Sequence, residues 1–164
     1  MGLFYAECPN IVYNDTYSRL FLAGGIVGCE DWQSELCDKL TVDDVVNLAV
    51  LNPRRKEFPF NDERAGVEQI KWEYDQLEVA DAISFWFSNK TLQPIAMFEL
   101  GRWSFVEDKP IFVGVHPNYE RRFDVIEQLK LVRPNLQVVN NLDDLANQII
   151  SWNKFVNHTA RNHY

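Results

Sequence analysis

Ala80-Asp81-Ala82-Ile83-Ser84-Phe85-Trp86-Phe87 is an apolar run that stops abruptly. After a polar loop comes Pro94-Ile95-Ala96-Met97-Phe98-Glu99-Leu100-Gly101-Arg102-Trp103. The first stretch is too short and too uniformly apolar for an amphipathic helix, and it fits a parallel strand buried on both faces. The second opens at proline, the natural first residue of a helix. A strand, a loop and a helix in that order are half of a βαβ unit. The rest of the chain repeats the pattern.

Working outward, Arg19 to Ala23 reads as strand one, ending at Gly24-Gly25, and Glu30 to Leu40 as a helix with Trp32, Leu36 and Leu40 at helical spacing. Val45 to Leu51 is strand two, closed by Asn52-Pro53-Arg54-Arg55. Asn61 or Asp62 caps a long helix from Glu63 to Val79, with Val67, Ile70, Trp72, Tyr74 and Leu77 as its apolar contacts. Ala82 to Phe87 is strand three, Pro110 to Val115 strand four and Leu136 to Val139 strand five. Helices follow at Phe123 to Leu131 and from Leu142 to about Phe155. Residues 3–14, interrupted by Pro9-Asn10, read as a short hairpin or extended arm. This alternation predicts an α/β three-layer sandwich with a five-stranded parallel sheet, flavodoxin-like in its order 2-1-3-4-5. Ligands of such sheets bind at the carboxyl ends of the strands, near the switch between strands one and three.

The chain has 164 residues, 46% of them hydrophobic, with a net charge of −8. That suits one domain, residues 1–164, with a core that needs no disulfides. The negative charge disfavours a nucleic-acid polymer as partner, because a phosphate backbone demands a basic face. A nucleoside or mononucleotide remains open. Cys8, Cys29 and Cys37 lack metal-ligand spacing, as do His116, His158 and His163. No metal and no cofactor is therefore expected. The opening residues show no signal peptide, and no run reaches the roughly 18 apolar residues of a membrane span, so the expectation is a cytoplasmic protein away from membranes.

The candidate functional residues lie mostly in the loops that follow strands. Gly24-Gly25 permits close approach of a ligand to the backbone, or simply makes a tight turn. The dinucleotide fingerprint and the phosphate loop are both absent. Asn52 and Arg54 present an amide and a guanidinium fork to a ligand, or belong to a solvated loop. His116 follows strand four, where it touches ligand or solvent. Asp81 stands at the amino end of strand three, the wrong end for such a site. Glu99 is the leading catalytic candidate. On a helical wheel it falls between Ile95, Trp103 and Val106, and a carboxylate in such surroundings is costly unless paired or used. Its alternatives are an ordinary helix-surface pair with Arg102 or a nucleophile kept ionised by the helix amino end.

Phe21-Leu22-Ala23-Gly24-Gly25-Ile26, the Trp32 helix, Leu51-Asn52-Pro53-Arg54-Arg55, Ala80-Asp81-Ala82-Ile83 and Phe98-Glu99-Leu100-Gly101 occur in an order that resembles the nucleoside 2-deoxyribosyltransferase-like family. The resemblance covers roughly residues 19–130. It implies that Glu99 attacks the anomeric carbon of a 2'-deoxynucleoside, expels the base, and passes the sugar to a second base with retention of configuration, as two displacements through an ester allow. It further implies Asp81 on the base-binding side, Gly24 and Gly25 beside the sugar, and Met97 among the substrate-binding residues. Gln93 stands where better-known members carry a second aspartate, six residues before the nucleophile. An amide cannot deliver a proton at neutral pH. Asn118 matches a sugar-binding asparagine given across an interface, with His116, Arg121, Arg122 and Asp124 near a 5' hydroxyl or phosphate. The implied partners are small-molecule nucleosides, nucleotides and free nucleobases, and further copies of the chain in a homo-oligomer with shared sites. An N-glycosidase, with water as acceptor, and a non-catalytic nucleotide-binding module are the alternative functions.

Overall fold

The computed structural model describes residues 3–7, 10, 15–59 and 61–161. Its strands are β1 (Leu3–Glu7), β2 (Ser18–Gly24), β3 (Leu48–Asn52), β4 (Ala82–Phe87) and β5 (Ile111–Val115). The helices are α1 (Trp32–Leu40), α2 (Glu63–Val79), α3 (Pro94–Trp103), α4 (Arg122–Val132) and α5 (Leu142–Arg161). The strands form one sheet, all parallel, in the order β1-β3-β2-β4-β5. Every strand after the first follows a crossover, which makes this an α/β fold of the flavodoxin-like kind.

Side-chain alternation along the strands divides the core in two. Phe21, Ile83, Phe85, Phe87 and Val113 pack on one face beneath Trp72 of α2, Leu100 of α3 and Leu129 of α4. Leu20, Leu22, Val50 and Trp86 pack on the other beneath Leu36 of α1 and Leu145 of α5. Burying both faces explains why β3 and β4 are apolar at nearly every position.

The strands at Arg19, Val45, Ala82 and Pro110 lie in the expected relative order, and both sheet edges differ from the sequence reading. At one edge, the part of the expected hairpin or extended arm that is described is a strand, and residues 8–9 and 11–14 of that segment lie outside the described residues. Leu3–Glu7 pairs in parallel with Leu48–Asn52, so it is a true strand outside β3. At the other edge the expected strand Leu136–Val139 shrinks to a single parallel bridge between Gly114 and Val139. Two competing bonds explain this: the Leu136 N–H bonds Arg133 O in a turn, and the Gln137 carbonyl is taken by the Gln148 amide at 3.0 Å.

β3 also begins later than Val45. Asn47 adopts a left-handed φ of 49°, and Asn153 of α5 takes both the N–H and the C=O of Val46, which removes that residue from the ladder. Helix α2 runs from Glu63 to Val79 as expected, with the Asp62 carboxylate accepting the Arg64 N–H. Its apolar residues divide, however. Trp72 and Leu77 are buried, while Val67, Ile70 and Tyr74 form a stripe that faces outward.

Candidate active site

The residues that follow β2 make the floor of the site. A Cβ on Gly24 would sit 2.6 Å from both the Trp32 ring and the Trp86 carbonyl, and one on Gly25 would meet Cys29 Sγ at 2.4 Å. Close packing against these neighbours is what requires glycine at both positions. The loop is held by side chains: the Trp32 indole N–H donates to Gly25 O at 2.9 Å, and the Gly25 N–H donates to Gln93 Oε1 at 2.9 Å.

Gln93 itself caps α3 in a left-handed conformation, φ 52°, and is 5% exposed. Its Nε2 donates to Ser88 O at 2.9 Å and to Thr91 O at 3.2 Å. Both polar atoms are thus committed to bracing two loops against each other. Gln93 thus borders the pocket as a brace, and an aspartate could not make the same bonds because it lacks the donor.

Above this floor lies a cavity of about 380 Å³, bounded by Gly24 and Gly25, by Ile95 and Glu99 of α3, and by Glu73 of α2. It opens at the carboxyl end of β2, the end at which parallel sheets bind ligands. Among the described residues no hydrogen bond or ion pair reaches Glu99. Burial, reinforced by the neighbouring Glu73 carboxylate, pushes Glu99 up to about 8. This overturns the expectation of a carboxylate kept ionised by the helix end. Arg102 is not its partner either, being engaged with Glu78 and lying over the rings of Tyr74 and Trp103. Ile95 and Val106 do not shield Glu99 as the helical wheel suggested, for they are 64% and 38% exposed. The pocket walls from β2 and α2 supply its desolvation.

Glu73 is the residue sequence reasoning missed. Burial raises its pKa, opposed by a hydrogen bond from the Gln69 amide at 2.8 Å. The signal was present: on the α2 wheel Glu73 lies on the arc of Trp72, Gln76 and Leu77, all buried. It was hidden by the many charged neighbours of an otherwise ordinary helix.

The other candidates fall into separate places. Asp81 lies before β4, at the amino end of the sheet, with its carboxylate on the Arg19 N–H at 2.7 Å and on the Arg19 guanidinium at 3.2 Å. The length of β4, six residues or about 20 Å, separates it from the pocket. Its catalytic expectation is therefore corrected. It ties the starts of β2 and β4 together. Asn52 and Arg54 border a second cavity of about 610 Å³, which shares Ile26, Val27, Pro53 and Glu73 with the first. Asn52 Oδ1 accepts the Arg54 N–H at 2.9 Å. The Arg54 guanidinium serves Gln33 Oε1, the Glu30 carbonyl and the Asp31 carboxylate. It holds the loop before α1 and presents no free fork, contrary to expectation.

Met97 and Asp124 line a third cavity, between α3 and α4, on the far side of α3 from Glu99. His116 and Asn118 follow β5, where His116 Nδ1 accepts the Asn118 N–H at 3.1 Å and the imidazole meets the Trp86 ring edge-on at 6.5 Å. Neither borders the Glu99 cavity. Within one chain, then, Gly24, Gly25, Gln93 and Glu99 come together, and Met97, His116, Asn118 and Asp124 do not join them.

Among the described residues no three His, Cys, Asp or Glu side chains cluster to hold a metal ion, and no helix is long and apolar enough to cross a membrane. Two half-buried carboxylates, Glu73 of α2 and Glu99 of α3, border one cavity beside the double-glycine loop. The family model described as "Nucleoside 2-deoxyribosyltransferase like" matches residues 17–119, which include the loop, Glu73, Gln93 and Glu99. The chain belongs to this family. No curated protein matches it.

Proposed function

We propose that this protein is a nucleoside 2'-deoxyribosyltransferase in which Glu99 is the nucleophile and Glu73 handles the proton. The observation that carries the reading is the Glu73–Glu99 pair in one pocket at the carboxyl end of β2. We take the pair to share one proton near neutral pH: Glu99 retains its own until about 8, and the Gln69 amide that donates to Glu73 favours the anion there. One proton is what the reaction needs. It passes from Glu99 through Glu73 to the departing base while a Glu99 oxygen bonds to the anomeric carbon and the glycosidic C–N bond breaks. The start is one carboxylic acid, one carboxylate and a neutral nucleoside. The end is a glycosyl ester on Glu99, a neutral free base and the Glu73 carboxylate. An incoming base then reverses these events, and two inversions give retention. Atoms and charge balance without an added cofactor.

Glu73 fills the part that Gln93 cannot. A residue with a raised pKa beside the leaving group can both take and give a proton. Neighbouring copies of the chain complete the picture. Val67 and Ile70 of α2 and Ile95 and Phe98 of α3 are exposed, and Ile95 also borders the pocket. We assign this apolar stripe to a homo-oligomer interface, across which a second copy brings Asn118 to the sugar.

Incubation with deoxyinosine, with and without adenine, tests the activity. Deoxyadenosine appearing only with adenine supports transfer. Free deoxyribose in both reactions indicates hydrolysis, and no cleavage in either contradicts the reading.

A further inference from the structure

Gln69 lies one helical turn before Glu73 on α2, where an i,i+4 amide–carboxylate contact would usually be a surface ornament. Three observations set this one apart. Its Nε2 donates simultaneously to Glu73 Oε1 and to Pro53 O, both at 2.8 Å. Its Oε1 is buried and has no hydrogen-bond partner. Glu73, in turn, receives no other donor among the described residues. A buried acceptor left empty is unfavourable, so the amide is held in this orientation by something that outweighs the loss. Turning it over would place its oxygen against Glu73 and would strip the Pro53 carbonyl of its donor.

We infer that Gln69 is a positioning residue that decides which of the two pocket carboxylates carries the shared proton. Its N–H stabilises the anion of Glu73 and fixes that side chain against the loop after β3. Glu99 faces the same cavity with no donor among the described residues and is left holding the proton. The pair is therefore asymmetric before any ligand arrives, with the proton on the nucleophile and the charge on its neighbour. This inference rests on the glycosyl-transfer reading for its consequence in catalysis, and its structural part can be tested without it.

The other charged groups near Glu73 do not supply the asymmetry. The second cavity brings Glu7 of β1 and Asp31 before α1, both of which would oppose a Glu73 anion. From the loop after β3 it brings Arg54, already engaged with Asp31, and Arg55, which faces Glu68 at 3.5 Å. Lys56, from the same loop, is exposed at the rim.

The test compares wild type with Gln69→Leu and Gln69→Lys. Protein labelled with ¹³C at the glutamate carboxyl groups reports each titration directly, with Glu73→Gln and Glu99→Gln assigning the two resonances. Loss of the donor in Gln69→Leu raises the Glu73 midpoint by about half a pH unit or more, and the cation in Gln69→Lys lowers it. The acid limb of kcat/KM moves with the midpoint. The Leu variant loses more activity at the acid end of the profile than at pH 7.5, up to the roughly threefold that a half-unit shift allows. Unchanged midpoints in both variants, or losses of activity equal at every pH, would overturn the inference. If the Leu variant does not fold, the Lys variant decides: no downward shift overturns it. Absence of turnover in wild type would defeat the functional proposal while leaving the titration of Glu73 to decide the role of Gln69.

Discussion

The Gly25 N–H donates to Gln93 Oε1 at 2.9 Å, joining the loop after β2 to the first turn of α3. This bond ties the floor of the pocket to the helix that carries Glu99. The other end of the amide holds Ser88 O and Thr91 O, so the bracing depends on having a donor and an acceptor on one side chain.

Replacement of Gln93 is therefore expected to harm the protein whatever replaces it. Gln93→Asp retains an acceptor and loses the donor, and it buries a carboxylate beside backbone carbonyls. It should cost about 1–3 kcal/mol of stability and lower turnover. Gln93→Ala should cost a similar amount. Urea denaturation and kcat/KM for deoxyinosine measure both effects. Higher activity in Gln93→Asp would show that the side chain reaches the substrate after all.

The raised pKa of Glu99 also predicts how stability varies with pH. The native chain keeps this proton up to about 8, whereas the unfolded chain releases it near 4.5. Between these values the native state binds more protons, so this group's contribution to stability falls as pH rises and levels off above about 8. Glu99→Gln removes the effect. The variant should match wild type near pH 4 and exceed it at pH 8 by about 2 kcal/mol, allowing for residual solvent access. A difference that is constant across this range would count against a strongly desolvated Glu99.

The same proton sets the pH profile of activity. If the singly protonated pair is the working form, kcat/KM rises as Glu73 ionises above its ordinary range and falls again above about 8, when the last proton leaves. A deoxyriboside whose leaving group departs without protonation should lose the alkaline fall and keep the acid rise. Identical profiles for both substrates would remove proton transfer to the base from the pair's duties.

Much of this arrangement was legible in the residues themselves. Pro94 announced α3, Asp62 capped α2, and the uninterrupted apolar run from Ala82 to Phe87 marked a central strand. Glu99 stood out because one carboxylate amid apolar neighbours is conspicuous. What escaped depends on pairing across the fold. Leu136–Val139 has strand-like residues, but side-chain amides and a turn take its backbone groups, and no local pattern records that competition. Asp81 enters the site through the family resemblance alone, and its place at the amino end of the strand, which the sequence already indicates, is where the structure has it. Glu73 and Glu99 are 26 positions apart, and only the packing of α2 and α3 over β2 makes them one group.

The exposed stripe on α2 and α3 predicts self-association. Phe98 is 74% exposed and Ile70 is 70% exposed, both on the layer that carries the pocket. Phe98→Asp and Ile70→Asp should each shift the chain toward monomer in light scattering, and should reduce turnover if a second copy contributes to the site. A wild-type monomer with full activity would contradict both expectations.

The central claim is that Glu99 carries the sugar. Protein incubated with a 2'-fluoro-2'-deoxynucleoside, which slows release of the ester, is quenched in acid, digested and weighed peptide by peptide. The account predicts one added fluorodeoxyribosyl group on the peptide containing Glu99, absent from Glu99→Ala and removed when a free base is supplied before the quench. A sugar adduct on another carboxylate, or one that persists in Glu99→Ala, would contradict it.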